Sequence, residues 1–307
     1  MLNRWCNEIY DINLALAQMR EVLQKTKLVK GGRGAKPKRE VAMYGLIIAL
    51  KEYDERTLRG AEAHITRLIC KERIDHSVIA YWENKPEMLD AITQFVSIAG
   101  ALLEKCLSSL FTFVDATKFS SWKMDEVNIH VCNRIASGTV YPIGLSFTTG
   151  SVAQPVNEAV PSGEGLAYLD AGYDDNATIG IMFQKGYTPI VCPNKNRWRG
   201  YWRKKARKLY RMREHRRGYR QRGRGESLFG SLTNQFGDRL NARNEVAMQT
   251  RIATRIFCYQ IKLLIRCKNG LGLIVRHARK NISLQQKSSQ EYWQLKQPFH
   301  LYPQTTR

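Results

Sequence analysis

The chain is short of acids, of paired cysteines and of long apolar runs, and each shortage excludes a class of protein. Its seven cysteines (Cys6, Cys70, Cys106, Cys132, Cys192, Cys258 and Cys267) are scattered, odd in number, and never spaced C-x-x-C. That pattern excludes a disulfide framework and a zinc ribbon, and it fits a reducing compartment. Cys106 and Cys258 fall inside apolar runs and read as small core residues. The six histidines lie too far apart for a His/Cys metal centre. No apolar stretch approaches the roughly 20 residues that a spanning helix needs. The longest, Phe95 to Val114, is broken by Glu104 and Lys105. Met1-Leu2-Asn3-Arg4-Trp5 opens no apolar secretion segment, so a cytoplasmic chain with no membrane partner is expected. There is no internal repeat.

What the chain has in excess is positive charge. Against 27 Asp and Glu stand 49 Lys and Arg, a formal net charge of +22 in 307 residues. Such an excess favours a polyanionic partner, because each neutralised phosphate releases condensed counterions. The densest stretch runs from Lys195 to Arg224, with 15 cations in 30 residues and a single acid, Glu214. Trp198, Tyr201, Trp202, Tyr210 and Tyr219 are interleaved with those cations. Cations can track phosphates while aromatic rings stack on unpaired bases, so the tract reads as a nucleic-acid contact rather than a solvated face.

Residues 1–105 read as helical. Ile9, Ile12, Leu16, Met19 and Leu23 keep close to a 3.6-residue period. A Gly/Lys/Arg break at 30–39 interrupts the pattern, which resumes at Val41–Leu50 and again around Leu58–Ile65. Asp75-His76-Ser77 marks the start of a further short helix. Two readings of this region stay open: a helix-turn-helix module with one helix in the major groove, or an ordinary helical bundle. Strand character begins near 110, with candidates at 110–114, 127–134, 139–147, 165–169 and 188–192. A helix is expected between the last two, from Asn176 to Lys185. Another follows Glu226, and a longer one from Val246 to Cys267 closes the core. The succession predicts a mixed α/β sheet flanked by helices, preceded by an all-α domain.

Three acids occupy informative positions. Asp115 ends the run Leu110-Phe111-Thr112-Phe113-Val114, and Asp170 ends Leu166-Ala167-Tyr168-Leu169. An acid at the carboxyl end of a strand points into the crevice where open α/β sheets bind ligands. Glu226 follows the basic tract directly, with Arg222 four residues and Tyr219 seven residues before it. On a helix those three share one face and can meet one phosphate. Gly218, Gly223 and Gly225 oppose a helix there, each by about 1 kcal/mol relative to Ala. Three carboxylates can hold two divalent cations roughly 3.5–4 Å apart, as in-line phosphoryl transfer requires. Carboxylate ligands select Mg²⁺ or Mn²⁺.

These motifs resemble the DDE transposases of bacterial and archaeal insertion sequences, whose signature is tyrosine, two residues, arginine, three residues, glutamate, six residues, lysine. Here it runs Tyr219, Arg222, Glu226, with Thr233 at the lysine position. Val114-Asp115-Ala116-Thr117 resembles the family's first aspartate motif and Tyr168-Leu169-Asp170-Ala171-Gly172-Tyr173-Asp174 its second. The resemblance covers residues 30 to 268. It implies an N-terminal helical DNA-binding domain (1–105), an RNase H-like catalytic domain (106–268) and a C-terminal extension (269–307). It also implies catalytic, metal-binding Asp115, Asp170 and Glu226, with Tyr219 and Arg222 on the transferred-strand phosphate. Arg224 is expected to replace the missing lysine contact. Lys204, Lys205, Arg216, Arg217 and, in the N-terminal break, Arg33 are expected to bind DNA.

The implied partners are the terminal inverted repeats, target DNA and further copies of the chain, in the nucleoid-associated cytoplasm. Asp174 is expected to cap the following helix. Between Thr149 and Asp170, where the family has a solid helix, Pro155 and Pro161 are expected to leave at most one turn. An inactive relative that only binds DNA is the alternative, and an RNA-binding protein with structural acids is a third reading.

Overall fold

The computed structural model describes residues 8–27, 37–109, 111–121, 126–136, 138–148, 151–196, 199–237 and 239–268. Arg33 and the segment 269–307 lie outside the described residues. β1 (Phe111–Ser121), β2 (Val127–Ala136) and β3 (Thr139–Phe147) form an antiparallel meander. β4 (Gly165–Leu169) lies parallel to β1 on its free side, and β5 (Tyr187–Val191) parallel to β4. The order is β3-β2-β1-β4-β5, with the two-residue β6 (Arg239–Leu240) pairing the far end of β1. This mixed sheet, flanked by helices, is the RNase H-like arrangement. Proline cannot donate to a ladder and is confined to edges; Pro142 and Pro189 accordingly lie in β3 and β5, the two outer strands of that order.

β1 is longer than its apolar run suggests, because Ala116 to Phe119 continue to pair with β2 as far as Val127. Asp115 is therefore inside a strand rather than at its end. It does mark the end of the parallel pairing, whose last partners are Val114 and Leu169.

The helices before the sheet are α1 (Ile12–Lys25), α2 (Val41–Tyr53), α3 (Leu58–Gly60, a π turn at Ala61–Ile65, then Thr66–Cys70), α4 (His76–Glu83) and α5 (Pro86–Cys106). Asp75 caps α4, its carboxylate accepting from the Ser77 amide at 2.7 Å. α6 (Ala153–Ala159) links β3 to β4. Its two turns exceed the single turn expected: Pro155 stands in the first turn, where an amide hydrogen has no intrahelical partner to lose. α7 (Asn176–Gln184) joins β4 to β5, and α8 (Tyr201–Arg211), α9 (Arg213–Tyr219) and α10 (Gly225–Phe236) follow. α11 (Glu245–Lys268) is buried on nearly every side, as a helix packed between layers must be. It packs against α2, α5 and β3, and the Gln260 amide donates to the carbonyls of Val96 in α5 and Pro142 in β3, at 2.8 and 2.9 Å. One buried apolar cluster therefore runs from the first helices through both sides of the sheet.

A buried ion network ties the same helices together. The Glu83 carboxylate accepts from Lys51 Nζ at 2.8 Å and from Arg251 at 2.7 Å, joining α4 to α2 and α11. Burial alone would raise the Glu83 carboxyl, but Lys51 and Arg251 outweigh it and hold it below the ordinary glutamate range. Removing one partner of such a pair leaves an uncompensated buried charge. We predict that Glu83→Ala costs about 3–5 kcal/mol in urea denaturation, whereas the triple variant Lys51→Met/Glu83→Leu/Arg251→Met, which removes every member of the network, regains most of it. A loss below about 1 kcal/mol for the single variant would contradict the account.

Candidate active site

The register of two parallel strands brings the first two acids together. Val114 pairs with Leu169, so Asp115 and Asp170 follow side by side at the carboxyl end of the parallel stretch, where α/β sheets open a crevice. Asp115 is 9% exposed, while about half of the Asp170 side chain faces solvent. Arg222 joins them: its guanidinium donates to Asp115 Oδ1 at 3.1 Å and lies 3.7 Å from Asp170 Oδ1. Glu226 is exposed in the first turn of α10.

The third acid arrives on an almost continuous helical tract. α9 passes into a 3₁₀ segment (Arg220–Arg224) and then α10, so the glycines do not break it as their propensity suggests. Two of them are where the tract meets the sheet. A Cβ on Gly218 would fall 1.9 Å from the Tyr168 hydroxyl, and one on Gly225 would fall 2.6 Å from the Phe113 ring and 3.0 Å from Asp115 Oδ2. Any side chain would push the tract off β1 and β4, so close approach outweighs the propensity cost. Tyr219 is held edge-on by Tyr168 and Tyr210, at centroid distances of 6.2 and 5.4 Å, and the Arg222 guanidinium lies 5.9 Å from its ring centre. Burial raises the Tyr219 phenol above its ordinary value, which keeps it a neutral donor.

Both other acids act on Asp115. Burial pushes the Asp115 carboxyl above the ordinary aspartate range, with Asp170 and Glu226 adding to the rise and Arg222 and the Ala116 amide opposing it. The ion pair with Arg222 does not reverse the shift, because desolvation is the larger influence. Three hard oxygen donors around a site already bridged by a guanidinium suit a divalent cation. Their ligand atoms are not gathered as tightly as one ion would need. Among the described residues, the group with all ligand atoms within 4.8 Å of one another is Glu62, Asp75 and His76, in the N-terminal helices. There Glu62 already accepts from Arg73 at 2.6 Å and from His76 Nδ1 at 2.7 Å.

Sequence reasoning misses the supports behind Asp170. Its carboxylate accepts from the Ala171 amide at 2.6 Å, starting a 3₁₀ turn (Ala171–Tyr173). The buried Tyr173 hydroxyl meets His130 Nδ1 at 2.8 Å, and His130 Nε2 meets the Thr148 hydroxyl at 2.5 Å. Burial lowers the His130 pKa, so the ring stays neutral with one donor and one acceptor nitrogen. A lone histidine in an apolar strand carries no signal of this. The following helix also corrects an expectation: Asp175, not Asp174, caps α7, accepting from the Ala177 and Thr178 amides. Asp174 is buried and instead accepts from the Asn194 amide at 2.7 Å and Arg203 Nε at 2.9 Å, because α8 folds back over the turn.

Among the described residues, no ion pair joins the other basic candidates to the three acids. Lys204, Lys205, Arg216, Arg217 and Arg224 are all exposed. Lys205 lies over the Phe183 ring at 4.3 Å and Arg216 over Tyr210 at 5.7 Å. Arg224 reaches towards the β2–β3 turn, 3.8 Å from where a Gly138 Cβ would be. Thr233 turns its hydroxyl back to the Phe229 and Gly230 carbonyls, both at 3.1 Å.

An RNase H-like sheet with two acids at neighbouring strands and a third on a helix laid across them defines the DDE class of nucleic-acid enzymes. A family model described as Transposase DDE domain matches residues 108–261, half of the chain, and the protein belongs to that family. No curated protein and no solved structure matches the chain. The family is one of transposases that act on DNA and normally use a divalent metal. No helix among the described residues is long and apolar enough to cross a membrane.

The burial of Asp115 carries a pH signature. With its folded pKa raised above the unfolded value near ~3.9, its contribution to stability is present below that value and lost as pH rises through the folded one. Asp115→Asn should therefore raise the melting temperature at pH 7, and the gain should vanish at pH 3. An unchanged or lower melting temperature at pH 7 in scanning calorimetry would contradict this.

Proposed function

We propose that the chain is a divalent-metal-dependent transposase that cuts a phosphodiester at the ends of its element and joins the freed 3′-hydroxyl to target DNA. The observation that carries this reading is the meeting of Asp115 and Asp170 at one arginine, Arg222, whose helical tract runs on into Glu226. Asp115, Asp170 and Glu226 would hold two Mg²⁺ or Mn²⁺ ions; a single ion calls for tighter gathering than these acids show, whereas two spread the ligands. Bound ions supply activation of the attacking oxygen and stabilisation of the leaving one. Arg222 neutralises the paired aspartates, and its planar fork can pass from carboxylate to phosphate, since both accept two parallel hydrogen bonds. Tyr219, held in its aromatic cluster, donates to the same phosphate. The His130–Tyr173 contact keeps the Asp170 turn fixed while these exchanges occur.

Residues 1–105 serve as the DNA-binding domain in this reading. Arg59, Ala63 and Arg67 border an exposed groove of about 470 Å³ whose other wall holds Glu62, already paired with Arg73, with Asp75 and His76. Arg59, Ala63 and Arg67, at i, i+4 and i+8, offer small and cationic residues on one helix face to an approaching duplex. The exposed Lys204, Lys205, Arg216, Arg217 and Arg224 add phosphate contacts, and the enzyme works in the nucleoid-associated cytoplasm as an oligomer assembled on DNA.

Asp115→Asn tests the enzyme reading. Strand cleavage of duplexes carrying the element's terminal sequences in Mg²⁺ should fall at least about a thousandfold, about 4 kcal/mol of barrier, while duplex binding is retained. Wild-type protein that binds those ends but never nicks them would instead identify an inactive relative.

A further inference from the structure

The tract that carries Arg222 and Glu226 has a second charged face. Arg213, Arg216, Arg217 and Arg220 line a cleft of about 360 Å³. All four are exposed, and among the described residues no carboxylate forms an ion pair with any of them. They stand at i, i+3, i+4 and i+7, one stripe of a helix turning about 100° per residue. The side facing the sheet is formed by His215, Gly218, Tyr219, Arg222 and Gly225, which are buried or touch β1, β4 or the acids. On that period the two sets lie on opposite sides of the tract.

Four uncompensated guanidinium groups lining one cleft repel each other, and a polyanion relieves that repulsion. The cleft holds the volume of roughly ten waters, more than a single phosphate fills. The stripe extends about 10 Å, the axial length of roughly three nucleotides on one strand. Arginine forks match phosphate oxygens in pairs. Arg216, lying over Tyr210, is braced towards the cleft.

Resting on the reading of the chain as a DNA-acting enzyme, we propose that this cleft is a second DNA-backbone site. It binds a duplex segment other than the one whose phosphate lies at Asp115 and Asp170. One helical tract thus sits between two DNA segments, with the acids on one side and the arginine stripe on the other, and the cleft contributes affinity but no chemistry.

The test uses the full chain and a random-sequence duplex of about 30 base pairs, long enough to cover several such stripes. Binding is measured across a salt series for wild type and for the variant Arg213→Ala/Arg216→Ala/Arg217→Ala/Arg220→Ala. Surface positions of this kind tolerate substitution, and equal melting temperatures confirm folding. The variant's log–log salt slope should be shallower by about 2 to 3, at about 0.9 per phosphate. Wild-type protein held on an immobilised duplex should capture a second, labelled duplex, and the variant should lose that capture while keeping the first at low salt. An unchanged slope, unchanged capture, or displacement by structured RNA at tenfold lower concentration than duplex would overturn the proposal. Wild type that binds no duplex at all would sink the enzyme reading itself, whereas normal cleavage with an indifferent arginine variant sinks only this inference.

Discussion

The pairing of β1 with β4 is the constraint on which the site depends. Because Val114 faces Leu169 across a parallel ladder, two aspartates must emerge next to each other, one of them mostly desolvated. Such a pair is unfavourable alone, and Arg222 answers it from a third element. That ion pair fixes the position of the helical tract, and hence of Glu226. The glycines at 218 and 225 follow from the same demand, since the backbone of the tract can lie against Tyr168, and against Phe113 and Asp115, only where it carries no side chain. Helix propensity yields to close packing at this one place.

Much of this was legible beforehand, for identifiable reasons. Strands announced themselves through apolar runs bounded by Gly, Asp and Asn, and helices through 3.6-residue spacing. The prolines at 142 and 189 each mark an outer strand of the sheet. What stayed hidden was whatever depends on partners distant in sequence. The extension of β1 past Asp115 comes from pairing with β2, and Asp174 turned from cap to buried anchor because α8 returns over it. Pro155 misled because its cost depends on where the helix begins. Asp170 was legible as the end of a strand and Glu226 as the start of a helix, whereas Asp115 lies inside β1; the His130–Tyr173–Thr148 chain was not legible, since nothing local distinguishes it.

Stability and function are shared across the same elements. α11 is packed against α2 and α5 on one side and reaches β3 on the other, while Glu83 locks α4 to both α2 and α11. The helices proposed to meet DNA are thereby rigidly connected to the sheet that carries the acids. Rigid placement matters in phosphoryl transfer, where most of the catalysis is positioning and charge stabilisation. The exposed cations, by contrast, lie outside this frame and can adapt to a ligand without disturbing it.

The central claim is that Asp115, Asp170 and Glu226 together hold divalent cations, displacing the guanidinium that now bridges two of them. Anomalous diffraction from crystals soaked in Mn²⁺ tests it most directly. The account predicts Mn²⁺ signal among those three carboxylates, with Arg222 withdrawn from Asp115. Arg222 still bridging Asp115 and Asp170 with no ion beside them, or Mn²⁺ bound only at Glu62, Asp75 and His76, would contradict it.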